Sequence, residues 1–93
     1  MSRTRHNKRD ANEAHLLSLA HQLGLDWVEG APLDGWTWLG QWVPIEIKNP
    51  KGRDRLQPSQ RQFITLCVAQ NRPYAIWRDD GDVIRAANVR AVA

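Results

Sequence analysis

The chain has very little sulfur: its 93 residues include one cysteine and one methionine. Cys67 alone cannot form an internal disulfide, and no Cys/His spacing suggests a structural zinc. No apolar run approaches the roughly 18 residues that a membrane helix needs. The opening stretch, MSRTRHNKRD, is polar and basic with no apolar segment behind it, so it does not read as a secretory signal. There is no internal repeat and no low-complexity tract. These absences describe an intracellular, soluble protein with no membrane partner. At 42% hydrophobic and 25% charged residues, wholesale disorder is excluded. The length allows one core only, so the expected organisation is a flexible basic arm over 1–9 and a single domain over 10–93.

Charge is unevenly placed. The net value is only +3, yet Arg3, Arg5, Lys8 and Arg9 put +4 on the first nine residues. Lys48, Lys51, Arg53, Arg55 and Arg61, set against Asp54, add another +4 between 48 and 61, which leaves the remainder acidic by five. Two basic segments on an acidic body suggest a polyanion gripped at defined places. A solubilising tail is the bland reading of the first segment.

The pattern predicts a first helix from a cap at Asp10 or Asn12 to about Leu23, where Gly24 stops it. Leu16, Leu17, Leu19, Ala20 and Leu23 form its apolar stripe. Leu25 to Glu29 is a short strand candidate. Trp36–Leu39 and Trp42–Lys48 read as two strands joined at Gly40-Gln41. A basic loop over 49–57 follows, then a helix from Pro58 to about Asn71, which Pro73 cannot continue. Tyr74 to Arg78 reads as a strand and Asp79-Asp80-Gly81-Asp82 as a turn. Val83 to Arg85 could return as a strand, with Ala87 to Val92 a short helix or frayed. The expected fold class is α/β, a mixed central sheet flanked by helices in the order α-β-β-β-α-β.

The stretch Val43-Pro44-Ile45-Glu46-Ile47-Lys48 carries the most chemistry. Alternation puts Val43, Ile45 and Ile47 on one face and Glu46 and Lys48 on the other. A Glu-x-Lys triplet alone is common and reads equally well as a surface ion pair. Asp34, twelve positions before Glu46, comes to the same sheet end if the two strands pair through Gly40. Two converging carboxylates repel unless a cation bridges them, and hard oxygen ligands favour Mg²⁺. Glu13 starts the buried stripe of the first helix, and Gln60 stands in the same relation to Phe63, Ile64 and Cys67 in the second. Either one alone reads as a polar residue reaching solvent at a helix start.

Taken together, Asp10-Ala11-Asn12-Glu13, Pro32-Leu33-Asp34, Ile45-Glu46-Ile47-Lys48 and Leu56-Gln57-Pro58-Ser59-Gln60 resemble, in order and spacing, the stand-alone VRR-NUC nucleases. These belong to the PD-(D/E)XK superfamily and are common in bacteriophages. The resemblance spans about Arg9 to Asn88. It departs from the family where Leu33 separates Pro32 from Asp34, and where Pro44 removes a ladder donor from the central strand. What the resemblance implies is a restriction-endonuclease-like core and a Mg²⁺- or Mn²⁺-dependent endonuclease. Its substrate would be branched DNA such as Holliday junctions, and it would act as a homodimer in the cytoplasm of a bacterial host.

By the same resemblance, Asp34, Glu46 and the main-chain carbonyl of Ile47 would hold the metal, with Glu13 as an outer-sphere or second-metal ligand. Lys48 would orient the attacking water or steady the phosphorane, and Gln60 would anchor the ligands. Asn49, Lys51, Arg53, Arg55 and Arg61, with Lys8 and Arg9, would grip the DNA backbone.

Five tryptophans remain. Trp36 and Trp38 share one strand face; core or dimer packing is favoured over base stacking for them. His6, His15 and His21 read as surface residues and Cys67 as buried core. The competing function classes are a non-catalytic nucleic-acid-binding module, a flap or duplex nuclease of the same family, and a small protein that docks a partner through its tryptophans.

Overall fold

The structure is a computed structural model that describes residues 10–49 and 56–92. The arm over 1–9, with Lys8 and Arg9, lies outside the described residues, as do Lys51, Arg53 and Arg55. The elements are α1 (Asp10–Gln22), β1 (Val28–Glu29), β2 (Gly35–Trp38), β3 (Trp42–Ile47), α2 (Pro58–Ala69), β4 (Ala75–Trp77) and α3 (Asp80–Val92). The sheet order is β1-β2-β3-β4, with β1, β2 and β3 antiparallel in sequence and β4 parallel to β3. A parallel return needs a crossover, and α2 supplies it. The mixed sheet with flanking helices is the expected α/β class.

Alternation along β3 sorts the layers. Val43, Ile45 and Ile47 pack with Leu16 and Ala20 of α1, Trp77 of β4, and Val83 and Ala86 of α3. Leu16, Ile45 and Val83 are fully buried; a side chain of this kind contributes roughly 1.5–3 kcal/mol on burial. Thr37 also points inward and donates its hydroxyl to the Asp26 carbonyl at 2.6 Å. The other face carries Pro44, Glu46 and Lys48. It meets α2, where Trp36 makes an edge contact with Phe63 at 6.4 Å between ring centroids.

Local chemistry explains the boundaries. α1 ends where Leu25 donates to the Ala20 carbonyl and Gly24 takes φ +82°, the left-handed conformation that glycine adopts without strain. Pro58 opens α2 behind an extended Gln57. Asn71 at φ 58° closes it, with Arg72 donating to the Cys67 carbonyl. Pro44 costs the sheet nothing. Lys48 N–H donates to the Trp77 carbonyl, so even-numbered residues of β3 aim their N–H groups toward β4. The β4 ladder begins only at Ile45, one residue past the proline.

Four expectations need correction. Val83 to Arg85 is not a strand, and Asp79 to Asp82 is not a free turn. Asp82 N–H donates to the Asp79 carboxylate at 3.2 Å, while Asp82 Oδ2 accepts from the Arg78 and Asp79 N–H groups at 2.7 and 3.3 Å. That reciprocal cap starts a helix that runs on through Val92. The first strand shortens to Val28–Glu29. Asn12 is not a cap; it lies inside α1 and its side chain reaches another element.

Candidate functional site

The site is built at the C-terminal end of β3. Gly35 pairs with Ile45, and Asp34 stands just before that pair, at the start of β2 and beside the end of β3. Asp34 is held there through both ends. Its N–H donates to the Ile45 carbonyl at 3.0 Å. Its Oδ2 accepts the Ile47 N–H at 2.7 Å, which replaces a main-chain ladder bond with a carboxylate one.

Glu46 is buried at 1% exposure and Lys48 at 7%. Ionised groups are almost never buried this far unless paired. Lys48 Nζ lies 3.4 Å from Glu46 Oε2. From the α2 side, Gln60 Nε2 donates to both Glu46 oxygens, at 3.2 and 3.1 Å. Gln60 Oε1 accepts the Gln57 N–H at 2.9 Å. One side chain therefore caps its own helix and fixes the rotamer of a carboxylate on the sheet.

The strand end is tied from the other layer as well. Asn12 Nδ2 donates to the Lys48 carbonyl at 2.9 Å, so the first turns of α1 are anchored against the end of β3. Glu13 follows Asn12 and is half-buried. Sequence reasoning missed Asn12. An asparagine at a helix start reads as a cap, and no local signal separates that from a tertiary bond.

Asp34, Glu46, Ile47, Lys48 and Gln60 are thus brought together, as expected, with Glu13 on the helix that Asn12 ties to them. Asn49 continues from Lys48 and is half-buried. Arg61 is exposed at the start of α2 and donates to the Leu56 carbonyl at 3.1 Å. His15 and His21 are exposed, and His15 Nε2 sits 2.6 Å from Asp80 Oδ1, joining α1 to α3. Trp36 packs under α2, whereas Trp38 and Trp42 are substantially exposed and meet edge to face at 5.4 Å.

Among the described residues, no three His, Cys, Asp or Glu side chains group closely enough to hold a metal between them. The oxygen donors that these residues offer are instead the Asp34 and Glu46 carboxylates and the Ile47 carbonyl. These are hard oxygen donors of the kind Mg²⁺ and Mn²⁺ take, with water filling the remaining positions. By that chemistry the residues fit such an ion.

The fold and site define a small α/β protein with a charged cluster at the end of its central strand. No known family model, curated protein or solved structure matches the chain. Among the described residues, no helix is long and apolar enough to cross a membrane.

Proposed function

We propose that the chain is a metal-dependent endonuclease that hydrolyses phosphodiester bonds in DNA, acting on branched forms such as four-way junctions. The observation that carries this reading is the buried Glu46, held by Gln60 and Lys48 at the strand end where the Asp34 carboxylate takes the Ile47 N–H. A protein that only grips nucleic acid gains nothing from two carboxylates beside the phosphate path, because they repel it. The motif resemblance to the VRR-NUC nucleases supports the same reading.

In this proposal Asp34, Glu46 and the Ile47 carbonyl hold Mg²⁺ or Mn²⁺. The bound ion supplies Lewis acidity and charge neutralisation at the scissile phosphate. Lys48 donates toward the attacking water or a non-bridging phosphate oxygen, where its charge counts most as negative charge builds. Gln60 and Asn12 keep the carboxylate and the strand end in place, so that little reorganisation accompanies reaction. Arg61 and the basic residues after Asn49 contact the backbone. Two symmetric strands need two sites, so the working form is a homodimer, in the cytoplasm of a bacterial host.

Purified protein incubated with a four-way junction, a flap and a plain duplex, in Mg²⁺ or in EDTA, tests the proposal. The expected result is metal-dependent strand cleavage that Glu46→Gln abolishes while DNA binding is kept or tightened. Undiminished cleavage by Glu46→Gln would overturn it. So would tight DNA binding with no cleavage in either Mg²⁺ or Mn²⁺, which would leave a binding module.

A further inference from the structure

The face of the sheet that carries Glu46 also holds a cavity of about 250 Å³, lying between β3 and α2. Its walls are aromatic: Trp36, Trp42 and Phe63, with Pro44 at the strand. Polar groups stand among them, the amide of Gln70 and the guanidinium-bearing Arg72. Among its described lining residues, Arg72 is the one charged side chain, and it is positive.

We infer that this cavity receives one unpaired nucleobase of a DNA strand, a pocket that rests on the nucleic-acid reading above and extends it to a strand-state preference. The volume is one reason. It falls below the roughly 300–1,000 Å³ of sites for drug-sized ligands, so it suits a single planar ring system and neither a helix nor a duplex. The wall chemistry is another. Aromatic faces stack bases regardless of sequence, side-chain amides meet ring heteroatoms, and an arginine without a neighbouring carboxylate meets the attached phosphate.

Position supplies the last reason. Pro44 precedes Glu46 by two residues on the same face of β3, a rise of about 7 Å. Phe63 lies one turn beyond Gln60 on α2. The pocket therefore adjoins the charged cluster at the distance of a neighbouring nucleotide. Trp42 is the wall that can move the measurement without moving the fold, because it is 46% exposed. Its edge contact with Trp38 holds its ring in place.

Fluorescence anisotropy of a labelled single-stranded oligonucleotide, and of the same sequence as a duplex, reads the pocket in EDTA without any cleavage. Trp42→Ala is expected to weaken single-strand binding by roughly 5- to 150-fold and to leave duplex binding unchanged. Trp42→Phe, which keeps a stacking face, is expected to recover most of the loss. Arg72→Gln is expected to flatten the log–log salt dependence for the single strand by about 0.7. Equal single-strand affinity in wild type and Trp42→Ala would overturn the inference. Equal weakening on single strand and duplex would also overturn it, since a duplex keeps its bases stacked. A drop from dimer to monomer mass in Trp42→Ala with unchanged single-strand affinity would reassign the cavity to an interface between copies. No arm needs hydrolysis, so a protein that never cleaves can still pass this test, and one that cleaves can still fail it.

Discussion

Gln60 reaches across from α2 and donates its amide to both oxygens of Glu46, at 3.2 and 3.1 Å. The same residue accepts the N-terminal N–H of its helix, so the helix start and the carboxylate are set by one rotamer. Gln60→Ala removes both functions and leaves a 1%-exposed carboxylate with fewer donors. The expected cost is about 1–3 kcal/mol in chemical denaturation. Gln60→Glu is the sharper variant. It sets a second carboxylate against the first, so its deficit against wild type is largest at neutral pH. The deficit shrinks as pH falls and one carboxyl of the pair takes up a proton, which burial and like-charge repulsion bring on above the ordinary glutamate range. A deficit that does not depend on pH would mean that the two side chains do not face one another.

Gly35 is expected to tolerate no side chain. A Cβ there would meet the Trp27 ring, with Cε2 at 2.8 Å, and the Val28 carbonyl oxygen at 2.7 Å. A backbone oxygen in a paired strand cannot yield as a side-chain tip can. Gly35→Ala should therefore cost at least the ~1–3 kcal/mol of an overpacked core. It should also disturb the neighbouring Asp34. Thermal melts of the variant check the first point. A melting temperature equal to that of wild type would show that β1 and β2 do not approach as closely as described.

Much of this arrangement was readable from the chain, and the reasons differ by residue. Val43, Ile45 and Ile47 declared a buried strand face through alternation, and Glu46 and Lys48 were assigned to the other side by the same rule. The Gly40 hairpin then set the β2–β3 register and brought Asp34 to the end of β3, because register follows from the turn. Helix α3 was misread because Asp79-Asp80-Gly81-Asp82 has the composition of a turn. Its aspartates instead cap a helix, which only the reciprocal bonds reveal. Asn12 bonds a carbonyl 36 positions away, and the Trp27–Gly35 contact depends on how the chain before β1 folds back on β2, so no local pattern names either partner.

Asp82 gives a pH handle remote from the candidate site. Burial opposes its ionisation, but the N–H groups of Arg78 and Asp79 and the Arg85 guanidinium outweigh it and hold the carboxyl below its usual value. A lowered folded value stabilises the protein above the ordinary aspartate range, and that stability is lost as pH falls through the folded value. Asp82→Asn keeps an acceptor oxygen but removes the charge, so it should be less stable at pH 7 by about 0.3–1 kcal/mol, the range of a charge at a helix N-terminus. The gap to wild type should close below about pH 4. Melting curves taken from pH 3 to 7 check this; a constant gap would show that the charge of Asp82 is not what matters.

Lys48 holds two roles that a single substitution confuses. Its ammonium lies 3.4 Å from Glu46 Oε2, with both side chains almost fully buried. Removing one partner of such a pair leaves an uncompensated buried charge, at a cost of about 3–5 kcal/mol. That is a large fraction of the roughly 5–15 kcal/mol that holds a small domain folded. Lys48→Met alone can thus lose cleavage simply by unfolding. The double variant Glu46→Gln/Lys48→Met removes both charges at similar volume, so it should recover most of the lost stability in urea titrations. It should still fail to cleave DNA at saturating substrate in Mg²⁺, because both the carboxylate proposed to hold the ion and the charge proposed to act on the transition state are gone. A double variant no more stable than Lys48→Met would show that the two charges are not coupled. A stable double variant that cleaves at the wild-type rate would remove both Glu46 and Lys48 from the chemistry and leave them as a structural ion pair.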